Sequence, residues 1–173
     1  MLNIKSLDLR SDAAENSIMQ TITIAVSAIL IAAGLVTAPG LINNARDNNA
    51  TTDLANIAYA EEFNLANTGN YGSLAQIKTS TDQSIAEGGS GPKLTLSGGV
   101  STAVASNNTT YKLYALSKSG KLFVRDSSSA ATVRVNGAAA GDDYKFKITA
   151  GKLVADGTAT VPTDAAALTF TTN

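Results

Sequence analysis

The feature that constrains this chain most is a run of thirty residues, Asn16 to Ala45, without one Asp, Glu, Lys or Arg. Its centre, Ile18 to Ala38, is rich in Ile, Leu, Val and Ala. As an α-helix, this centre is long enough to cross the hydrocarbon core of a bilayer, which takes about 20 residues. The sequence therefore predicts a helix that needs an apolar surround, supplied either by lipid or by other helices.

Small and hydroxyl side chains, mostly Ala, Ser and Thr, interrupt this apolar run. Such residues let helix backbones approach closely, which favours packing against other helices. Pro39-Gly40 stands near the end of the run, and a proline removes a backbone donor and clashes with the preceding turn. We therefore expect a helix break, seen as a kink or a locally unwound piece, between Gly34 and Gly40. Residues 18–42 are assigned to this apolar helix.

The residues ahead of the apolar run are mixed in charge. Asp12-Ala-Ala-Glu15 has the form of a capping box, in which Asp12 accepts from the first turn and Glu15 reaches back. We interpret residues 1–17 as an N-terminal segment and helix cap. Because a secretory signal peptide has a basic start, a shorter apolar core and a small-residue cleavage site, we expect this segment to be retained.

Past the proline, residues 43–70 become polar but keep a helical period. Leu54, Ile57, Ala58 and Leu65 fall on one face, which predicts an amphipathic helix half that packs on a globular head through these residues. A glycine then ends the helix. The two halves together predict one helix of roughly fifty residues, on the order of 80 Å long.

Residues 71–173 change in composition, because Ser, Thr, Gly and Ala dominate and short alternating runs are separated by turns. This pattern predicts antiparallel strands. The run Tyr111 to Leu116 is expected to form a hairpin with Lys121 to Arg125, Ala150-Gly151 is expected to be a two-residue turn, and Leu168 to Thr171 is expected to close the sheet. The predicted fold class is α+β: a long N-terminal helix packed against a C-terminal, β-rich globular head.

The composition excludes several kinds of chemistry. The chain has no cysteine and no histidine, and its 13 basic and 14 acidic residues leave a net charge of -1. Disulfides, thiolate chemistry, imidazole bases and the common zinc sites are therefore excluded, and the charge balance points to no polyanionic partner. We assign no catalytic, cofactor-binding or metal-binding residue and predict that the protein is not an enzyme.

Two segments carry a family resemblance. Leu-Ala-Asn-Ile-Ala-Tyr-Ala-Glu-Glu-Phe occupies residues 54–63, and Asn-Thr-Gly-Asn-Tyr-Gly-Ser-Leu follows at 67–74. Together with the apolar run and the proline, these segments resemble the type IV pilins, whose subunits share the anchor helix, the helix-breaking proline and a G-x-Y turn. The most telling positions are Glu61, Gly69 and Tyr71.

This resemblance implies a structural subunit of an extracellular filament, inserted in the cytoplasmic membrane before assembly. It also implies a pilus assembly ATPase and a membrane platform as partners, and adhesion, motility or DNA uptake as uses. The subunit would polymerise with copies of itself. The residues expected to pack in the filament core are Ile18, Ile22, Ile24, Val26, Ile29, Leu30, Ala33 and Leu35.

The chain departs from the family at the start of the helix. Family precursors are cleaved after a glycine, and the mature subunit soon carries a glutamate that pairs with a neighbour's N-terminal amine. Here no glycine precedes Ile18, and Ile22 stands where that glutamate is expected. Glu15 is a candidate for a related pairing with Lys5 or Arg10 of a neighbour, although its reading as a helix cap is favoured.

Two other functional readings stay open beside the filament. One is a non-polymerising, membrane-anchored surface domain whose sheet binds a ligand, and the other is a minor pseudopilin of a secretion or competence system. The anchor helix is common to all three readings. The small-residue stripe and the proline favour the filament.

Three Asn-x-Thr triplets match the N-glycosylation pattern, and their asparagines are Asn49, Asn107 and Asn108. Such short patterns also arise by chance in a chain so rich in Asn and Thr. A small basic group at Lys145, Lys147 and Lys152 is interpreted as the solvated side of a strand pair, so no specific nucleic-acid site is assigned.

Overall fold

The computed structural model describes four stretches of the chain, residues 38–78, 94–135, 145–156 and 160–172. The chain divides into two compact units, Met1–Ile42 and Asn43–Asn173. The helices and strands below belong to the second unit, apart from the first five described residues of helix α1.

The predicted N-terminal segment, 1–17, lies outside the described residues, and so does the predicted apolar helix over 18–37. In the part of the chain that the structure describes, no helix combines the length and the apolar character that a membrane span requires.

Helix α1 is continuous from residue 38 to residue 68, and both Pro39 and Gly40 are helical. The locally unwound piece that we expected between Gly34 and Gly40 therefore does not extend to these two residues, while Gly34 lies outside the described residues. A proline fixes φ near −65°, which is a helical value, so it is compatible with the α conformation at its own position.

The predicted glycine stop at the end of α1 is confirmed. Gly69 has a φ of 79°, a left-handed conformation that glycine adopts without steric cost. Its N–H donates to Leu65 O at 2.8 Å, and the Thr68 hydroxyl donates to Asn64 O at 2.8 Å. These bonds satisfy carbonyls that the last helical turn leaves unpaired.

A short helix, α2, follows at residues 74–78. The Ser73 N–H donates to Gln76 Oε1 at 2.7 Å, and the Gln76 N–H donates to Ser73 Oγ at 3.4 Å. This reciprocal pair is a capping box. Ile77 is fully buried, so α2 fastens the chain that leaves α1 to the core.

The main sheet has five antiparallel strands in the order β4-β3-β2-β1-β7. The strands are β1 (Ser101–Ser106), β2 (Tyr111–Leu116), β3 (Leu122–Asp126), β4 (Ser129–Arg134) and β7 (Thr171–Thr172). The predicted hairpin is confirmed, since β2 pairs with β3. The sheet is closed by β7, which pairs with β1; of the predicted closing strand, Leu168 to Thr171, only Thr171 lies in it.

A separate two-stranded sheet is formed by β5 (Lys145–Thr149) and β6 (Lys152–Asp156). Its turn is the predicted Ala150-Gly151 pair, with φ values of 50° and 75°. Two positive φ angles match the right-handed strand twist and are typical of a type I′ turn. The helix α3 (Thr163–Ala166) is a single turn that follows in the chain.

The two faces of the main sheet are covered by different elements. Helix α1 packs on one face through a cluster that contains Ala50, Leu54, Ile57, Ala58, Ala60, Val100, Tyr111, Leu113, Ala115 and Phe123. The prediction that Leu54, Ile57 and Ala58 pack on the sheet is therefore confirmed, and Leu65 is half-buried.

The opposite face of the main sheet packs against the β5–β6 hairpin and α3. This second cluster contains Ala103, Tyr114, Leu116, Leu122, Phe146, Leu153, Ala165 and Phe170. Strand β2 is consequently buried on both sides, which explains why its sequence, Tyr-Lys-Leu-Tyr-Ala-Leu, is almost continuously apolar.

Candidate functional site

The face of α1 that packs on the head carries three acidic side chains, Asp47, Asp53 and Glu61, which are 9 %, 1 % and 0 % exposed. They lie on the same side of the helix as the buried Leu54 and Ile57, because their spacings return to one face of a 3.6-residue turn. Carboxylates are seldom buried this deeply unless partners compensate them. We refer to the three carboxylates and their partners as the helix–head junction.

Asp47 binds the turn between β2 and β3. Lys121 Nζ lies 2.7 Å from Asp47 Oδ2, and the Ser119 hydroxyl donates to Asp47 Oδ1 at 2.5 Å. Burial works to raise the pKa of Asp47, but the hydrogen bonds from Lys121 and Ser119 outweigh it and leave that pKa below its ordinary value. Asp47 is therefore an ionised, paired contact.

Asp53 binds the segment that leads into β1. The Ser97 N–H lies 2.9 Å from Asp53 Oδ2 and 3.1 Å from Oδ1, and the Ser97 hydroxyl donates to Oδ1 at 2.9 Å. Burial raises the pKa of Asp53, and the donors of Ser97 offset only part of that rise. No cation among the described residues pairs with Asp53, which distinguishes it from Asp47.

Glu61 binds the turn that leaves α1. The Gly72 N–H donates to Glu61 Oε2 at 2.9 Å, whereas Glu61 Oε1 is buried and has no hydrogen-bond partner among the described residues. Burial raises the pKa of Glu61 to about 7, and the neighbouring charge of Glu62 adds to the rise. The protonation of Glu61 therefore changes near neutral pH.

Glycine is needed at position 72 because the chain passes close to α1 there. A Cβ on Gly72 would lie 3.1 Å from Asn64 Nδ2 and 3.2 Å from Gln76 Cβ. Asn64 cannot easily move aside, since its Nδ2 donates to Asn70 O at 2.9 Å. The close approach lets the Gly72 N–H reach the buried carboxyl.

Tyr71 closes the same turn from the outside. Its hydroxyl donates to Glu62 Oε1 at 3.1 Å, and its ring meets the Tyr111 ring edge-on at a centroid distance of 4.9 Å. The structure therefore brings together Glu61, Gly69 and Tyr71, the three positions that carry the resemblance to type IV pilins. All three act in ending α1 and fastening the next segment to it.

The side of α1 that faces away from the head is nearly free of charge. We call it the outer face; its exposed residues include Leu41, Ile42, Ala45, Asn49, Thr52, Ala55, Asn56, Tyr59, Glu62 and Ala66. Leu41, Ile42 and Tyr59 are 68 %, 50 % and 62 % exposed. Within the described part of α1, Glu62 is the only charged residue that is exposed, because the other three acids turn into the head and Arg46 is half-buried.

Several predicted site residues lie outside the described residues: Lys5, Arg10, Glu15, Ile18, Ile22, Ile24, Val26, Ile29, Leu30, Ala33, Gly34 and Leu35. The three sequon asparagines are described and exposed. Asn49 lies on the outer face of α1, whereas Asn107 and Asn108 lie in the loop between β1 and β2.

The lysines of the β5–β6 hairpin project into solvent, as expected for the outer side of a strand pair. Lys147 Nζ lies 3.7 Å from Asp156 Oδ1, and Lys152 Nζ donates to Ala167 O at 2.9 Å. Two of the three charges are therefore engaged within the head.

A cleft of about 700 Å³ opens at one end of the main sheet, between Ser73, Ser106, Tyr111 and Asp126. Its hydroxyls are largely used within the protein. The Ser106 hydroxyl donates to Gly72 O at 2.7 Å, and the Ser128 hydroxyl donates to Asp126 Oδ1 at 2.6 Å. Polar groups that are already satisfied gain little from a ligand.

Comparison of the chain with protein-family models, with curated proteins and with solved structures gives no match. The resemblance to type IV pilins therefore stays a prediction from the sequence.

Sequence reasoning found Glu61 only through that resemblance, and it missed the roles of Asp47 and Asp53. A signal was nevertheless present, because both aspartates fall on the apolar side of the amphipathic helix. Asp47 lies three residues before Ala50, and Asp53 directly precedes Leu54. An acid at a core position of a helix predicts a specific partner in the facing element.

Proposed function

We propose that this chain is the structural subunit of an extracellular filament of the type IV pilus kind and polymerises through its N-terminal helix. One observation carries the proposal: three of the four acids of α1 turn into the head, so Glu62 is the only charged residue exposed on the outer face of the described helix. A helix that only covers its own head normally carries several charged residues on the water-facing side, whereas the described part of α1 exposes one.

The physical basis is transfer of the apolar helix from the lipid bilayer to a bundle of identical helices. A charge-free helix is stable among lipid chains or among identical helices, but it is not stable in water. Small residues on the outer face, such as Ala45, Ala55 and Ala66, allow a neighbouring helix to approach closely. A single contact repeated with a rotation and a rise then generates an open filament, for which no active site is needed.

The implied partners follow from the same resemblance. The subunit is held in the cytoplasmic membrane before assembly, and an assembly ATPase with a membrane platform extracts it. Adhesion, motility and DNA uptake are the uses that such filaments serve.

The test is microscopy of material sheared from cells that make the protein. We expect thin fibres that contain this chain. Asn56→Lys places one charge on the outer face at an exposed position, where it costs the fold less than about 0.5 kcal/mol. It should abolish the fibres and leave the protein in the membrane fraction, because an unpaired charge cannot be buried between helices.

The matched control is Thr149→Lys, an exposed position on β5, which should leave the fibres intact. Absence of fibres from wild-type cells, with the protein retained in the membrane, would overturn the proposal in favour of an anchored surface domain. Short or rare fibres would point instead to a minor pseudopilin.

A further inference from the structure

The loop that joins β1 to β2, residues 107–110, is organised around one side chain. Asn107 Oδ1 accepts four hydrogen bonds: from the N–H groups of Thr109 and Thr110 at 2.9 and 2.7 Å, and from their hydroxyls at 3.2 and 3.0 Å. Asparagine commonly folds a turn in this way. Thr109 is also the hydroxyl residue of the Asn107-Asn108-Thr109 sequon.

All of these contacts use the oxygen of the Asn107 amide and leave its nitrogen free. Asn107 Nδ2 makes no hydrogen bond within the described residues. The residue is exposed and lines the open cleft at the end of the sheet. An amide has separate acceptor and donor atoms, so a group attached to the nitrogen leaves the bonds to the oxygen in place.

The other two sequons lack this arrangement. Asn49 lies inside helix α1, and the hydroxyl of its sequon residue, Thr51, donates to Asn48 O at 3.0 Å and not to Asn49. A bulky group on Asn49 would also stand on the outer face of α1. For Asn108, the sequon hydroxyl is that of Thr110, which donates to the amide of Asn107 instead.

We propose that Asn107 is the N-glycosylation site of this protein, and that Asn49 and Asn108 are unmodified. The step joins Asn107 Nδ2 to C1 of the first sugar and breaks the bond from that C1 to a phosphate oxygen of a lipid-phosphate-linked sugar donor. The lipid phosphate leaves with the bonding electrons, and a base of the transferase takes the Nδ2 proton. The proposal rests on the exported location that belongs to the proposed function.

The experiment is site mapping by mass spectrometry on the full chain purified from the cells that make it. Trypsin separates the sequons: Asn49 falls in the peptide Asp47 to Lys78, and the loop falls in the peptide Leu94 to Lys112. We expect a mass increase equal to whole sugar residues on the second peptide only, and backbone fragmentation should place it on Asn107.

Two variants make the test specific. Thr109→Val and Thr110→Val each remove one hydroxyl bond to Asn107 Oδ1, so their cost to the loop is matched. The first destroys the Asn107 sequon and should abolish the modification. The second destroys only the Asn108 sequon and should leave the modification at the wild-type level.

An unmodified loop peptide in the wild-type protein would overturn the proposal, as would sugar on Asn49 or sugar that depends on Thr110. If filaments form from chains that carry no sugar, the glycosylation proposal fails and the proposed function stands. If Asn107 carries sugar but the protein forms no filaments, the proposed function fails and the glycosylation proposal stands.

Discussion

Glu61 offers the sharpest test of the helix–head junction. Its carboxyl is fully buried, one oxygen accepts from Gly72 N–H, and the other has no partner within the part of the chain that the structure describes. An ionised carboxylate in this place has a single hydrogen-bond donor to compensate its buried charge, whereas the neutral acid has no charge to compensate. The substitution Glu61→Gln keeps the size and an acceptor for Gly72 but removes the titration.

The sign and size of the effect follow from the pKa. Burial raises the pKa of Glu61 from 4.5 to about 7, so between these values the folded protein holds a proton that the unfolded chain has lost. Stability must therefore fall as the pH rises through this window and level off above it. At ~1.4 kcal/mol per unit, the loss is about 3 kcal/mol.

The assay is urea unfolding of the full chain at several pH values from about 4.5 to about 8. The free energy of unfolding of the wild type should drop by about 3 kcal/mol more across this range than that of Glu61→Gln. Glu62→Gln is the control, because Glu62 is exposed and its removal leaves most of the wild-type slope. Parallel pH profiles for the wild type and Glu61→Gln would refute the reasoning.

Three further outcomes can be measured by chemical denaturation. A double-mutant cycle with Asp47→Asn and Lys121→Met should give a coupling free energy of about 1 to 2 kcal/mol. This coupling should disappear as the pH falls through the lowered pKa of Asp47, and its absence at neutral pH would show that solvent screens the pair. Asp53→Ala should cost about 2 kcal/mol and Ser97→Ala about 1, because the second change keeps the backbone donor; equal costs would contradict this ranking. Ala150→Asn should stabilise the protein by roughly 0.5 to 1 kcal/mol, since Ala150 has a φ of 50°; a destabilised variant would rule out a type I′ turn there.

Much of the fold could be predicted because its signals are local. The apolar spacing of Leu54, Ile57 and Ala58 identifies the buried face of α1, and Gly69 marks its end. The hairpin around Ala150-Gly151 was likewise predictable, since alternating strands flank a two-residue turn. Each of these features is decided by neighbours within about one or two helical turns or one hairpin.

The placement of the β5–β6 hairpin could not be predicted in the same way. Its alternation of apolar and polar residues indicates that Phe146 and Leu153 are buried, but the segment does not indicate which element they pack against. The packing partner is the face of β2 opposite to α1, where Tyr114 and Leu116 are apolar side chains that must be buried. Strand β1 was missed because Ser, Thr and Ala alternate there with little contrast in hydropathy, so the period of two is hidden.

The junction was missed for a related reason. In a helix pattern, Asp47 and Asp53 count as polar positions, and polar positions are normally assigned to solvent. Their partners, Ser119, Lys121 and Ser97, lie in turns more than forty residues away in the chain. Only the folded sheet brings those turns to the helix.

Burying carboxylates is a costly way to fasten a helix to a sheet, because apolar side chains of similar volume give equal or greater stability. We infer that two of the carboxylates contribute register: Asp47 and Asp53 each match one turn of the head, and a helix displaced by one turn would leave both unpaired. Apolar contacts such as those of Leu54 tolerate sliding better. The same placement leaves Glu62 as the only exposed charge of the described helix. The proposed filament needs both properties, since every error of register within a subunit is repeated at each contact along a helical assembly.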